Sequence, residues 1–98
     1  MNILPEKVEG VKTSNVYSTS IKLTWLPVED VDGYEVYRAT SKNGTYTLKR
    51  TVSNSTTSYT NTDVSRKKGY YYKLRAYRVI NGKKVYSSFS DKKYIKTK

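Results

Sequence analysis

The sequence predicts an all-β fold, a two-sheet antiparallel sandwich of seven strands, and three observations predict it. Apolar and polar residues alternate with period two along most segments. Turn-forming residues break these segments at the short, regular spacing of sandwich strands. Tyr supplies 11 of the 98 residues, and Tyr, Thr and Val all suit pleated, half-buried surfaces.

Taken in order, Pro5 precedes a first short strand over residues 8–13. A second covers residues 20–25, where Ile21, Leu23 and Trp25 share one face and Lys22 and Thr24 the other. Pro27 and the cluster Glu29-Asp30-Val31-Asp32-Gly33 then end it. Tyr34-Glu35-Val36-Tyr37-Arg38 forms a third strand, and Ser41-Lys42-Asn43-Gly44 a turn whose Asn-Gly pair accepts positive φ. Residues 46–50 and 57–60 are the next strands, separated by a Ser/Thr/Asn loop. Residues 70–80 form the longest strand. Asn81-Gly82 turns it back into Lys83-Lys84-Val85-Tyr86, the strongest hairpin signal in the chain. A last strand spans about residues 91–98. No segment has helical periodicity.

A chain of this length holds one core, placed at residues 5–97. Residues 1–4 read as an expression start or linker, without the basic start and apolar stretch of a signal peptide. No apolar run is long enough to span a membrane as a helix. With no Cys and no His, disulfides, thiolate chemistry and zinc sites of the usual ligands are excluded. The net charge of +11 is segregated: residues 1–65 carry seven basic and seven acidic side chains, whereas residues 66–98 carry twelve basic ones against Asp91 alone.

Ile21-Lys22-Leu23-Thr24-Trp25, Gly33-Tyr34-Glu35-Val36-Tyr37-Arg38 and Tyr70-Tyr71-Tyr72-Lys73-Leu74-Arg75-Ala76-Tyr77 resemble the B, C and F strands of fibronectin type III domains. The wording is most similar to modules in secreted and wall-associated proteins of Gram-positive bacteria. The resemblance implies an immunoglobulin-like sandwich with Trp25, Tyr34 and Val36 in its core and Val64 at a position usually held by leucine. It makes Tyr70 a corner tyrosine bonded to upstream backbone, with Tyr72, Leu74 and Ala76 alternating inward. Two departures stand out: Ser65-Arg66-Lys67-Lys68-Gly69 replaces a common Pro-Gly turn, and Lys92-Lys93 replaces valines, leaving the register of the last strand open.

No nucleophile has a base beside it, no glycine loop cradles phosphate and no cofactor fingerprint occurs, so no catalytic, cofactor or metal residue is assigned. Glu29, Asp30 and Asp32 read as turn chemistry rather than a calcium loop. The candidate site is a basic, tyrosine-rich face. With Tyr72, Leu74 and Ala76 inward, Tyr71, Lys73, Arg75 and Tyr77 point outward. The resemblance places Tyr37 beside them, with Glu35 as the only nearby acid, and adds Lys92, Tyr94 and Lys96 if Ile95 points in. Anionic cell-wall polymer or polysaccharide would bind such a face through charge and ring stacking. The same residues also serve cross-strand stability and edge protection.

The resemblance therefore implies a non-catalytic spacer in a larger secreted or cell-surface protein, with neighbouring domains of the same polypeptide as its partners and a monomer as the isolated domain. Its rival is a module docking anionic polymer, and a weaker third reading is a glycosidase accessory that loosens substrate. No reader motif for nucleic acid appears.

Overall fold

The computed structural model describes residues 4–15 and 17–98, so most of the segment read as a start or linker lies outside the described residues. Eight strands form among the described residues: β1 (Lys12–Ser14), β2 (Ile21–Thr24), β3 (Gly33–Ala39), β4 (Thr47–Ser53), β5 (Ser58–Asn61), β6 (Gly69–Ile80), β7 (Lys83–Tyr86) and β8 (Lys93–Lys96). One sheet has the order β1-β2-β5; the other runs β4-β3-β6-β7, with β8 also on β6. All pairings are antiparallel.

The core fills the space between the sheets. Ile21, Leu23 and Trp25 meet Tyr34, Val36, Tyr70, Tyr72, Leu74 and Ala76, with Val8, Val11, Val31 and Val64 closing the ends. Burying each of the large aliphatic side chains contributes about 1.5–3 kcal/mol. Trp25 meets Tyr34 edge-on, ring centroids 5.6 Å apart, and Tyr34 Oη accepts the Val28 N–H at 2.8 Å. That bond ties the loop after β2 to the core. A polar cluster sits at the other end. Tyr72 Oη donates to Oδ1 of buried Asn61 at 2.6 Å, and Arg38 Nη1 donates to the same oxygen at 2.9 Å. The Arg38 guanidinium also lies over the Tyr70 ring, 4.9 Å from its centroid.

The eight segments, each expected from the sequence, fit a seven-strand sandwich for a local reason. β7 and β8 are two pieces of one edge strand, both paired to β6. Between them the Ser87 and Ser90 N–H groups donate to the Ala76 and Leu74 carbonyls. The return bonds come from the β6 amides of Ala76 and Leu74 to the Ser87 and Ser90 hydroxyls, each at 2.9 Å. Hydroxyls thus replace the backbone in the ladder, and Ser88-Phe89 bulge out opposite Arg75. The register left open is settled by the pairing of Tyr70 with Ile95 and Tyr71 with Tyr94; Ile95 packs against the core.

Three strands differ from the sequence reading by more than one residue at an end. β1 is shorter because Gly10 adopts φ +70°; a Cβ there would stand 2.7 Å from Leu26 Cγ, so the ladder resumes only at Lys12. β4 runs on to Ser53 because Thr51, Val52 and Ser53 pair with β3, past a register shift between Val36 and Tyr37. The final strand starts at Lys93, after the bulge.

The turn before β6 is held from two sides. Tyr70 Oη accepts the Ser65 N–H at 2.7 Å. Thr97 Oγ1 accepts the Lys68 N–H at 2.9 Å and donates to the Ser65 carbonyl at 2.6 Å. Tyr70→Phe keeps the buried ring and strands only the Ser65 N–H, so denaturant unfolding is expected to show a loss of about 1–2 kcal/mol. Tyr71→Phe, on the opposite face of β6, is expected to stay within about 0.5 kcal/mol of the parent. Equal losses would place the strand one residue out of phase.

Candidate functional site: a cation–aromatic face

β6 alternates strictly from Tyr70 to Ala76, buried then half-buried, so Tyr71, Lys73, Arg75 and Tyr77 project from the outer face of the larger sheet. Their neighbours there are rings and charges from three other elements. Lys73 Nζ lies 4.4 Å from the Tyr46 ring centroid and 3.8 Å from that of Phe89. The Arg75 guanidinium lies 3.5 Å from the Tyr86 ring centroid, 4.9 Å from Phe89 and 5.2 Å from Tyr37. Tyr37 and Phe89 pack edge-on at 5.2 Å. Cations and rings therefore interleave across the sheet, an arrangement worth about 0.5–1 kcal/mol per contact where exposed and more where water is excluded.

Glu35 organises the centre. Only 3% exposed, its carboxylate accepts Tyr37 Oη–H and Arg75 Nε–H at 2.9 Å each and Lys84 Nζ at 3.2 Å. Arg75 Nη2 also donates to Tyr37 Oη at 2.9 Å. Burial pushes the Glu35 carboxyl up, but the hydrogen bonds from Tyr37, Arg75 and Lys84, with the charge of Arg75, hold it below the usual carboxylate range. Burial together with the charges of Lys92 and Arg75 lowers the Lys73 ammonium.

The ends of β6 are built alike. The Tyr77 ring lies over Gly33 and the Tyr94 ring over Gly69, where an added Cβ would approach each hydroxyl to 2.6 Å and 2.5 Å. Lys84 Nζ stands 4.4 Å above the Tyr77 ring. Tyr71 and Tyr94 pair across β6 and β8 with centroids 4.9 Å apart, and Tyr94 remains 53% exposed.

Of the residues singled out from sequence, Tyr37, Lys73 and Arg75 lie together at mid-sheet, with Tyr77 at one end of β6 and Tyr71 and Tyr94 at the other. Lys96 stands beyond Tyr94, opposite Gly69. Lys92 precedes β8; its Nζ reaches Asn43 Oδ1 at 3.4 Å and lies 5.6 Å from the Tyr46 ring. Tyr46, Lys84, Tyr86 and Phe89 complete the face and were not singled out. The hairpin signal at Asn81-Gly82 places Lys84 and Tyr86 beside β6, whereas Phe89 arrives through the bulge.

In the acidic loop, Asp32 holds neighbouring backbone. The Asp32 carboxylate accepts the Val79 N–H at 2.6 Å, and its backbone N–H donates to the Tyr77 carbonyl at 2.8 Å. Among the described residues no group of three or more acids could hold a metal ion. An open cleft of about 600 Å³ lies beside this loop, lined by Leu4, Pro5, Leu26, Pro27 and Glu29 among others. No helix among the described residues is long and apolar enough to cross a membrane.

Two antiparallel sheets, the corner tyrosine and the buried Trp25 define an immunoglobulin-like sandwich. The family model of the fibronectin type III domain matches residues 6–90, and the chain belongs to that family. Amylopullulanase of Thermoanaerobacter thermohydrosulfuricus is 38% identical over 64 residues, which take in 62% of this chain and 4% of that protein. Similar solved structures include the sixth type III domain of human fibronectin type III domain containing protein 3, with TM-score 0.80 at 17% identity over 99% of this chain and 89% of that one. A two-domain segment of chicken tenascin gives TM-score 0.80 at 20% identity, covering 96% of this chain and 51% of that one. At these identities the likeness is one of fold.

A second carboxylate carries a pH dependence. Asp63 accepts Lys49 Nζ and Arg38 Nη1 at 2.8 Å each and Asn61 Nδ2 at 2.6 Å. The Lys49 hydrogen bond leads in holding its carboxyl down at about 2, helped by Asn61 and Arg38 against a smaller effect of burial. A carboxyl whose folded pKa lies below its unfolded one adds stability above the unfolded value and loses it as pH falls through the folded one. Stability is therefore expected to drop as pH falls from about 4 to about 2, and Asp63→Asn to flatten the curve in that window. A slope unchanged by the substitution would contradict the assignment; urea unfolding at a series of pH values reads it.

Proposed function

We propose that the chain is a non-catalytic spacer module in a larger secreted or surface protein, holding neighbouring domains of the same polypeptide apart. One observation carries this reading: residues 5–9 and 96–98 are backbone-bonded toward opposite ends of an elongated body measuring 45 × 26 × 21 Å. The first group sits beside the loop after β2, where the Leu26 N–H donates to the Glu9 carbonyl at 3.0 Å. The second lies against the turn before β6, where the Thr97 N–H donates to the Lys68 carbonyl at 2.9 Å. The 12-residue strand β6 separates the two poles, about 36 Å at 3.3 Å per residue.

The interlocked outer face supports the same reading. Arg75 and Lys84 are committed to Glu35 and Lys73 lies between two rings, so mid-sheet cations stiffen the domain more readily than they meet a polymer. The match to a small part of an amylopullulanase fits an accessory position within a long polypeptide.

Replacing the module in its full-length parent with an unrelated sandwich of the same length is expected to preserve the parent's activity. Deleting it, or substituting a Gly/Ser linker that behaves as a flexible coil, is expected to lower it. Loss of activity on the sandwich swap as complete as on deletion would overturn the spacer reading.

A further inference from the structure

Five cations gather at one pole: Arg66, Lys67 and Lys68 in the turn before β6, and Lys96 and Lys98 at and beyond the end of β8. Backbone bonds hold the two segments together. The Lys67 N–H donates to the Lys98 carbonyl at 3.2 Å, the Thr97 N–H donates to the Lys68 carbonyl, and Gly69 pairs with Lys96. All five residues are exposed. Among the described residues none of these five forms an ion pair, and the nearest acid along the turn, Asp63, is taken by Arg38 and Lys49.

This pole contrasts with mid-sheet, where the cations are matched to Glu35 and to rings; here only Lys68 meets a ring, its Nζ 5.7 Å from the Tyr70 centroid. Its turn is fixed by Tyr70 and Thr97, so the charges are presented without a large ordering cost. Tyr94 borders them, its ring seated on Gly69 and more than half exposed.

We propose that this pole binds a linear anionic polysaccharide. Its repeated acidic groups meet Arg66, Lys67, Lys68, Lys96 and Lys98, and a sugar ring rests on the open face of Tyr94. Four of the five cations are lysines, point charges that tolerate varied anion spacing rather than demanding one bidentate geometry. Nucleic acid fits less well: of the rings on β6 and β8 beside the patch only Tyr94 is more than half exposed, where single-strand binders stack successive bases on several. The site is independent of the spacer role and adds a tether to it.

The test titrates the chain with dextran sulfate at several salt concentrations, with uncharged dextran and poly(dT) as comparison polymers. Dextran sulfate is expected to bind saturably, with log affinity falling against log salt at a slope of about −3 to −4 for five neutralised charges. Uncharged dextran is expected to bind far more weakly. Lys67→Asn with Lys96→Ser should reduce the magnitude of that slope by about 1.5; Asn suits position 67, where φ is +54°. Lys12→Ser with Lys22→Ser removes equal charge from the other sheet and should leave the slope unchanged. Tyr94→Ala should weaken binding at unchanged slope and Tyr94→Phe should retain it, with melting temperatures checking that each variant folds. No saturable binding, equal weakening by the two lysine pairs, or tighter binding of poly(dT) than of dextran sulfate at equal salt would each overturn the proposal.

Discussion

The alternation of side chains along β6 is the constraint on which the rest of the molecule depends. That strand pairs with β3, β7 and β8, so its phase decides what lies between the sheets and what lies outside them. Tyr70, Tyr72, Leu74 and Ala76 go in and make the core; Tyr71, Lys73, Arg75 and Tyr77 go out and make the charged face. A slip of one residue would put lysine and arginine into the core and two rings and a leucine into water, a change costing far more than a small domain's net stability of about 5–15 kcal/mol. The corner bond from Ser65 to Tyr70 pins the phase at the start of the strand. Asp32, bonded to Val79 and Tyr77, pins it near the end.

Glu35 follows from that phase. It stands directly across from Arg75, on a side of β3 that would face water in a bare sheet. β7 and the Ser88-Phe89 bulge fold over this region and bring Lys84 and Phe89 to it. A carboxylate removed from water loses several kcal/mol of hydration, and three donors offset that loss here. Exposed ion pairs contribute little, typically under about 1 kcal/mol. The partial burial of Arg75 and the shared Tyr37 hydroxyl distinguish this one from a surface pair.

Much of this was legible in the sequence. Period two over residues 70–77 gave the alternation of β6 and the family resemblance its phase, and Asn81-Gly82 marked the hairpin that brings β7 back. What was not legible depends on contacts between distant segments. A Ser-Ser-Phe-Ser run carries no periodic signal, so nothing announces that two hydroxyls will stand in for backbone acceptors and push Phe89 over Lys73 and Arg75. Asn61 resembles loop composition until Tyr72 and Arg38 are found bonded to it between the sheets. The resemblance set Glu35 near Tyr37 on the outer face, but whether that face is wet or covered is decided by β7 and the bulge. The segregation of charge was plain from the chain. Its division into a mid-sheet matched to Glu35 and rings and a pole whose described cations form no ion pair appears only when residues 66–68 are set beside residues 96–98.

The claim that mid-sheet charge is used within the domain is tested most directly by a double-mutant cycle on Glu35 and Arg75. Unfolding free energies of the parent, Glu35→Gln, Arg75→Met and the double variant give the coupling between the two side chains. A desolvated, hydrogen-bonded pair predicts a coupling of about 1–3 kcal/mol that changes little with added salt. A coupling below about 0.3 kcal/mol, or one removed by moderate salt, would mean that Arg75 behaves as an ordinary surface cation. The outer face would then be open to ligands along its whole length.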